Sequence, residues 1–331
     1  MADPDDLTVR LLDHEEASLL VALIRRCYGE TYIDPSFYDE AGVRGRLACG
    51  DLSSVGAFTA LGELVGHMGI TRRSWGGNTA DAGMTLVDPA HRGRGIARKV
   101  AVGLAEQSIA MELVGVHDYP VTVHGATQRL AKGYGTDTGL MLANMPGDVS
   151  FEDMQTDASA ERTSSLVRWL PFGRAPTRDV YLPPIYADYI RTLYEEALLS
   201  RTLRESETAD LAGATELDTR IDGRRQIARF TVARSGADLA DRVSSRLKEA
   251  GGVVVAHLDL PLGDLNTPRA TEALRGLGFF FSALLPEYHD GDVLRLQWLA
   301  TSVQVAEAEV VARDATRAIE AYVVEDRASL S

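Results

Sequence analysis

The feature that most constrains this chain is a glycine-rich loop between a strand pattern and a helix pattern. The loop, residues 88–95, reads DPAHRGRG; it follows the β-rich run Thr79–Val87 and precedes a helical run over residues 95–113. The first amides of a helix have no acceptor within the helix, and the helix dipole adds partial positive charge there. Glycine has no Cβ, so the backbone can close around phosphate oxygens. The segment therefore predicts an anion-binding site. Further positive charge comes from Arg92, Arg94, Arg98 and Lys99.

Three other kinds of segment share part of this pattern. Gly93, Gly95 and Ala97 match part of a Rossmann dinucleotide-binding fingerprint, and Glu112 follows at a compatible distance. That fingerprint leaves a buried parallel strand directly, whereas residues 88–91 intervene here, and Glu112 does not end a second strand. A P-loop is excluded because the Gly-Lys-Ser/Thr ending is missing. A solvated basic helix start remains the simplest alternative.

Length and charge bound the classes of protein to which this chain can belong. Its 331 residues, 45% hydrophobic and 25% charged, are enough for two globular domains. The net charge of −14 repels a phosphate backbone, which argues against nucleic-acid binding but suits a cationic or amine substrate. Cys27 and Cys49 form no CxxC pair, so neither a metal cluster nor a disulfide framework is expected.

Neither a targeting signal nor a membrane segment is indicated. The segment formed by the first six residues, MADPDD, is acidic, whereas a signal peptide has a basic start followed by an apolar run. No stretch approaches the ~20 apolar residues that span a bilayer. The sequence therefore predicts a soluble, cytoplasmic protein that does not bind membranes.

Two successive series of helix and strand patterns divide the chain. In residues 1–145 an amphipathic helix at Asp13–Tyr28 precedes several strands, and a short strand is expected at Val121–His124 after the helix that follows the loop. Residues 146–180 lack a regular pattern and are interpreted as an interdomain linker. Residues 181–331 repeat the element order at the scale of a whole domain. An α+β fold with a mixed sheet is therefore expected in each half.

Residues 87–97 resemble the motif of a known family. They read VDPAHRGRGIA, which is similar to the Arg/Gln-x-x-Gly-x-Gly/Ala pyrophosphate motif of the GNAT acetyltransferases, with Arg92, Gly95 and Ala97 at its fixed positions. The resemblance extends over about residues 7–145. It implies that acetyl-CoA is the cosubstrate and that strand residues 84–87 pair with its pantetheine arm, a backbone N–H of this strand polarising the thioester carbonyl. The residues that this resemblance assigns to acetyl-CoA are Leu86, Val87, Arg92, Gly93, Arg94, Gly95, Ile96 and Ala97.

The second half resembles a degenerate copy of the same family's domain. Residues 268–280 are similar to the later helix of the family and the Gly-Phe ending that follows it. The expected phosphate loop, residues 234–238, reads RSGAD; it lacks the second glycine and ends in an acid that repels phosphate. The resemblance therefore implies two GNAT-like domains in tandem: residues 1–145 are catalytic, and residues 181–331 are structural or shape the substrate pocket.

Acetyl transfer to an amine requires a base, because an alkyl amine is mostly protonated at neutral pH. His124 is the first candidate, since it ends the strand expected after the motif helix, next to the region where the family places acceptor and thiol. Asp81 is the second, since the family often has an acid at the start of the strand before the loop. Both residues also have ordinary structural interpretations, as a hydrogen-bonded histidine and a turn residue.

The proton donor for the departing thiolate is left open by the sequence. Many family members carry a tyrosine shortly before the Gly-Phe ending of the later helix. If Gly135 matches that glycine, Ala131 stands at the tyrosine position, and Tyr134 is the nearest substitute. A thiolate is a tolerable leaving group near neutral pH, so a missing acid need not abolish activity. The residues expected to line the acceptor pocket are Glu63, His67 and Thr127.

These expectations combine into an N-acetyltransferase that moves an acetyl group from acetyl-CoA to the amine of a small polar acceptor. It needs no metal and is expected to be a monomer or a homodimer. One alternative is transfer of another acyl group, or transfer to a hydroxyl or a hydrazine-type nitrogen. A second alternative is a non-catalytic, acyl-CoA-binding regulatory protein. Acetylation of a protein amine is a third, which the acidic composition disfavours.

Overall fold

Most strands of this chain join in one continuous sheet. The computed structural model describes residues 7–72, 77–122, 125–130, 134–146, 161–205, 210–305 and 314–330. The strands are β1 (Thr8–Leu11), β2 (Leu52–Phe58), β3 (Leu64–Arg72), β4 (Thr79–Val87), β5 (Gly115–Asp118), β6 (Thr136–Met145), β7 (Thr163–Pro171), β8 (Arg178–Val180), β9 (Arg201–Leu203), β10 (Glu216–Asp222), β11 (Ile227–Arg234), β12 (Val255–Pro261), β13 (Phe280–Leu285) and β14 (Val293–Leu299). All but β8 and β9, which pair with each other, belong to the twelve-stranded sheet.

Helices follow or precede the strands in the order expected of an α+β chain. Short 3₁₀ turns at His14–Glu16, Pro35–Tyr38 and Pro89–His91 lead into longer helices or the loop. The α-helices are α1 (Ala17–Tyr28), α2 (Glu40–Cys49), α3 (Ile96–Ala110), α4 (Ala126–Leu130), α5 (Ala187–Glu196), α6 (Leu239–Glu249), α7 (Thr267–Arg275) and α8 (Asp314–Ala328).

Local signals in the sequence fix the ends of the first helices. Asp13 and Glu16 form a capping box ahead of α1, each side chain accepting a backbone N–H of the other's residue. Asp39 caps α2 by accepting from the amide of Ala41, and Gly50 ends that helix in the left-handed conformation. These caps satisfy amides and carbonyls that a helix end leaves without partners. The two helices then pack together over β2, β3 and β4.

The first seven strands form a mixed half-sheet in the order β1-β2-β3-β4-β5-β7-β6. Neighbours are antiparallel except β4 and β5, which run parallel because α3 crosses between them. Helices α1 and α2 cover one face of this half-sheet, packing on Leu52, Phe58 and Leu64. Helix α3 covers the other face, where Val100 and Leu104 are buried. Both faces of β4 are therefore covered over most of its length.

The second half repeats the strand order and strand directions of the first. Strands β10 and β11 form an antiparallel pair, β12 runs parallel to β11 after the crossover helix α6, and β14 lies between β12 and β13. The order β10-β11-β12-β14-β13 thus matches β3-β4-β5-β7-β6. Helices α5, α6, α7 and α8 share one large core with these strands.

The two halves meet edge to edge between β6 and β13. These strands run antiparallel, with Ala283 opposite Gly139. They are also corresponding strands of the two halves, so their pairing is what a two-fold axis through the junction would produce. The main chain of one half therefore continues the hydrogen-bonded sheet of the other.

Two sequence-based assignments differ from the structure. Of the strand expected at Val121–His124, only residues 121 and 122 are described, and Val121 makes an isolated bridge to Ser165. The described strand of this region is β5, which ends before Pro120, a residue without the N–H that would extend the ladder. Within residues 146–180, interpreted as an irregular linker, β7 inserts between β5 and β6 as an integral strand. Its pairing partners lie far away in the sequence, so local composition did not reveal it.

Candidate functional site

The loop before α3 is anchored by a buried aspartate. The Asp88 amide donates to the carbonyl of Val65 at 2.9 Å, and its Oδ1 accepts the Ala90 amide at 2.9 Å. The other carboxylate oxygen accepts from Nε of Arg26 on α1, and Nη2 of Arg26 donates to the carbonyl of Leu64 at 2.7 Å. Asp88 therefore ties the loop to both β3 and α1, which fixes where the loop begins.

The backbone of this loop presents amides that have no acceptor in the described part of the chain. Gly93 and Gly95 adopt left-handed φ values of 81° and 72°, which side chains with a Cβ rarely tolerate. Neither they nor Ile96 and Ala97 donate a backbone hydrogen bond to a described residue. An added Cβ on either glycine would meet no atom within 4 Å, so there is open space beside both glycines. This turn can hold a diphosphate by hydrogen bonds and the helix dipole.

A bulge interrupts β4 just before the loop. His67 pairs with Leu86 and Gly69 pairs with Gly83, so two residues of β4 lie opposite one residue of β3. Met84, inside the bulge, has a positive φ of 54°. His67 is fully buried, and its Nδ1 lies 3.0 Å from the Met84 carbonyl, to which it can only donate. Burial lowers the pKa of His67 to about 4, so its ring is neutral and supports the bulge.

Strands β4 and β5 separate at the bulge. They pair only from Thr79, opposite Gly115, to Ala82, opposite Asp118. In the described part of the chain no strand pairs with residues 83–87 on this side, so they form an open edge, which runs directly into the loop. Leu86 is buried, whereas Met84 and Val87 are half-buried. An open strand edge has backbone N–H and C=O groups available for an extended ligand.

Polar and aromatic side chains gather where β4 and β5 still pair. Asp81 is half-buried and accepts a hydrogen bond from the Tyr119 hydroxyl at 3.0 Å. His117 lies beside it on β5, fully buried. The second half also contributes: the Tyr288 ring lies edge-on to His117 with centroids 5.3 Å apart. The Thr79 hydroxyl donates to the carbonyl of Glu287 at 2.8 Å. Residues of both halves therefore surround the paired ends of β4 and β5.

The segment that carries these features corresponds to a described family. Residues 18–117 match the acetyltransferase (GNAT) family. The matched range runs from α1 to the third residue of β5, so it contains the bulge, the open edge, the loop and α3. The match supports acetyl transfer as the general activity of this GNAT region. No curated protein matches the chain.

Solved structures similar to the chain include N-acetyltransferases. Mutant forms of a spermidine/spermine N-acetyltransferase from Vibrio cholerae are 14% identical, covering 50% of this chain and 95% of that chain with a TM-score of 0.38. A dodecameric spermidine N-acetyltransferase structure from the same organism is 14% identical, covering 50% and 94% with a TM-score of 0.38. A Salmonella typhimurium protein assigned as an acetyltransferase, solved with its cofactor acetyl-CoA, is 17% identical, covering 52% and 96% with a TM-score of 0.40.

The other predicted site residues lie apart from one another. Glu63 precedes β3, near the loop and Arg26, whereas Asp81 pairs with Thr71 at the far end of that strand. Thr127 is half-buried on α4, and its hydroxyl has no partner among the described residues. Tyr134 is 71% exposed after α4. His124, the first candidate base, lies outside the described residues, as does Ala131.

Asp118 is a candidate that the sequence reasoning missed. It is the last residue of β5, where the two strands separate, and it is 9% exposed. Burial raises its pKa to about 6, against the opposing effect of the Arg168 charge. A carboxyl group with such a pKa can exchange protons near neutral pH. The signal available in the sequence was the Tyr119-Pro120 pair, which marks the end of the strand.

Replacing Asp118 by asparagine should stabilise the protein relative to the wild type as the pH rises. An unfolded aspartate titrates near about 3.9, whereas Asp118 in the folded state titrates at about 6. Between these values the folded protein retains a proton that the unfolded chain has lost, so raising the pH lowers the free energy of unfolding. Asparagine has no such proton to lose.

The free energy of unfolding of Asp118→Asn, relative to that of the wild type, should therefore rise by about 2 to 3 kcal/mol between about pH 4 and about pH 7. Urea unfolding of both proteins at the two pH values measures this shift. A difference that stays constant with pH would contradict the burial of an ionisable carboxyl group at this position.

The corresponding loop of the second half is filled by the chain itself. The amide of Gly236 donates to the Thr215 hydroxyl at 3.0 Å, and that of Ala237 donates to the Gly213 carbonyl at 3.0 Å. Asp238 accepts the Thr215 amide at 2.7 Å. Residues 213–215 thus lie where the GNAT region leaves its amides open, and no comparable anion site exists there.

The described residues contain neither a metal-binding cluster nor a membrane-spanning helix. No group of three or more histidine, cysteine, aspartate or glutamate side chains in these segments is arranged to hold a metal ion. No helix among them combines the length and apolar character needed to cross a bilayer.

Proposed function

We propose that this chain binds acetyl-CoA in its first half and transfers the acetyl group to the amine of a small polar acceptor. The observation that carries this proposal is the set of open amides at the start of α3, directly after the open edge of β4. A pyrophosphate at Gly93–Ala97 and an extended pantetheine arm along residues 83–87 fit this arrangement, because both ligand parts need backbone donors. The GNAT family match over the same residues supports it.

The roles of individual residues follow from this geometry. Arg92 and Arg94 add positive charge beside the amides, Leu86 and Val87 pair with the pantetheine arm next to the loop, and a backbone N–H nearer Gly83 polarises the thioester carbonyl. Asp81, bonded to Tyr119, is the base that receives the amine proton. The amine nitrogen then forms a bond to the carbonyl carbon, the carbon–sulfur bond breaks, and the thiolate takes up a proton. Asp118, at the point where β4 and β5 separate, is the donor that we favour over the exposed Tyr134.

The second half is proposed as a GNAT-like domain that no longer binds a cofactor. Its matching strand order supports the relationship, and its filled loop supports the loss of binding. It would then serve the site of the first half through residues such as Tyr288.

Gly95→Asp tests the cofactor site, with Gly95→Asn as its matched control. Aspartate and asparagine have nearly the same size and both can adopt the left-handed conformation, so the two variants differ chiefly in charge. Calorimetric titration of acetyl-CoA should show one site in the wild type. We expect at least about 100-fold weaker binding in Gly95→Asp, or about 2.7 kcal/mol, and a much smaller loss in Gly95→Asn.

Three outcomes separate the alternatives. Binding by the wild type together with thiol release in the presence of amines supports the transferase. Saturable binding without thiol release from any amine or hydrazine would instead favour an acyl-CoA-binding regulatory protein. If the wild type does not bind acetyl-CoA, or if both variants bind as it does, the loop is not the site.

A further inference from the structure

A row of polar side chains crosses the second half on one face of the sheet. His257 and Asp259 point to the same face of β12, because side chains alternate along a strand. Arg229 on β11 is in register with His257. On β14, Arg295 lies opposite Asp259 and Gln297 lies opposite His257. These five side chains, the polar row, therefore lie next to one another.

Three members of the polar row are satisfied within the chain. Arg295 donates two hydrogen bonds of 2.7 Å to the carboxylate of Asp259. The side chain of Gln297 accepts from one backbone amide and donates to two backbone carbonyls. Their contacts explain why these groups can be buried, and they leave no evident capacity for a ligand.

His257 lacks such contacts. It is 2% exposed, and neither ring nitrogen has a hydrogen-bond partner among the residues that the structure describes. Leaving a buried polar group unpaired costs about 1–3 kcal/mol, so a ligand or water normally satisfies it. Burial, followed by the charges of Arg295, Arg229 and Arg162, holds the pKa of His257 well below its usual range. The neutral ring can donate one hydrogen bond and accept another.

Arg229 supplies positive charge that forms an ion pair with no carboxylate among the described residues. Its side chain is exposed, and the described residues include no ion-pair partner for it, whereas Arg220, Arg225 and Arg234 on the same hairpin each pair with an aspartate or glutamate. Its cross-strand neighbour is another cation, Arg220. After burial, the charge of Arg229 lowers the pKa of Arg225. Such local repulsion in a chain of net charge −14 favours a bound anion.

The turn between β10 and β11 reaches the first half. Arg225, in this turn, interacts electrostatically with Tyr32 and Asp34 in the segment after α1. Tyr32 packs against Tyr28 with ring centroids 5.0 Å apart, and both rings belong with Met84 to one apolar cluster. The turn that carries Arg225 therefore lies on the side of the first half that carries the bulge.

A second set of contacts joins the polar row to the base proposed above. The guanidinium of Arg295 lies over the Tyr288 ring, 5.1 Å from its centroid. Tyr288 in turn contacts His117, which is in register with Asp81. Tyr288 thus contacts both Arg295 of the polar row and His117, the strand neighbour of Asp81.

We propose that Arg229 and His257 bind a carboxylate of the acceptor while its amine lies at Asp81. This inference rests on the proposed transferase function. A guanidinium presents parallel N–H groups that match the two oxygens of a carboxylate, and the imidazole N–H adds a third donor. The acceptor class is therefore an amino acid or a similar carboxylated amine, not a simple polyamine.

Matched probes that differ only in the carboxylate test this inference. They are lysine and cadaverine, and ornithine and putrescine; each of these amino acids carries its side-chain amine several bonds away from the carboxylate. Their binding is measured by calorimetry in the wild type, in Arg229→Gln and in the control Arg234→Gln, whose arginine pairs with Glu216. We expect at least one amino acid to bind about tenfold or more tightly than its amine, corresponding to about 1.4 kcal/mol. Arg229→Gln should remove this preference, and Arg234→Gln should retain it.

Equal binding within every pair would overturn the carboxylate site, as would a preference that survives in Arg229→Gln. The titration needs no acetyl-CoA, so it separates this inference from the proposed reaction. Amines acetylated without regard to a carboxylate would reject the inference and keep the transferase. Carboxylate binding by a protein that does not bind acetyl-CoA would keep the site and reject the transferase.

Discussion

Asp259→Ala is expected to lower the free energy of unfolding by about 3 to 5 kcal/mol. Asp259 and Arg295 form a bidentate ion pair whose side chains are 9% and 7% exposed. Removing the carboxylate leaves the guanidinium buried without its counter-charge. Urea or thermal unfolding monitored by circular dichroism measures the loss.

The double variant Asp259→Leu with Arg295→Met is the control for this prediction. Replacing both partners of a buried pair by apolar residues of similar size is often neutral or stabilising. We therefore expect the double variant to recover most of the stability that Asp259→Ala loses. If the double variant were as unstable as the single one, the loss would come from packing and not from the unpaired charge.

Gly139→Val is expected to destabilise the protein by about 3 kcal/mol through overpacking. Gly139 lies where β6 meets β13, and an added Cβ would be 2.3 Å from both the Ala283 Cβ and the Ser282 carbonyl oxygen. Two backbones would have to separate, which breaks the only direct pairing between the half-sheets among the described strands. Chemical unfolding measures the change, and limited proteolysis shows whether the junction opens.

Gly83→Val provides the comparison for a strand glycine with free space. An added Cβ at Gly83 would meet no atom within 4 Å, and its φ is not positive. We expect this variant to remain within about 1 kcal/mol of the wild type. Similar losses in both variants would mean that a branched residue in a strand, and not the close approach of the halves, is responsible.

Parts of the fold that depend on local patterns were predictable from the sequence. The β-rich run Thr79–Val87 coincides with β4, and the amphipathic helix expected at Asp13–Tyr28 contains α1. Strand β7 was missed because its flanks are polar and its partners, β5 and β6, are chosen by long-range pairing. Strand β6 contains Gly139, which reads locally as a break although it serves a close contact. Whether these segments form strands therefore depends on partners that are distant in the sequence, and local composition does not reveal such partners.

In the candidate site, too, the features that depend on local sequence were predictable and those that depend on distant strands were not. The glycine loop was evident because its phosphate-binding geometry requires residues that are adjacent in the sequence. The bulge at Met84 and the role of His67 depend on the register of two strands, which alternation alone does not fix. Tyr288 could not be assigned to the first half, because the contact between Thr79 and Glu287 spans 208 residues. Asp118 could be recognised as a candidate proton donor only once the structure showed where β5 ends.

The junction of β6 and β13 has a consequence for how the protein behaves on dilution. Corresponding strands pair there as they would between two subunits, yet a single polypeptide carries both. The halves therefore remain at a fixed, high effective concentration, whereas separate subunits would dissociate as their concentration fell. Residues such as Tyr288 stay beside the first half at any protein concentration. A chain of this kind can keep a composite site without depending on its own abundance in the cell.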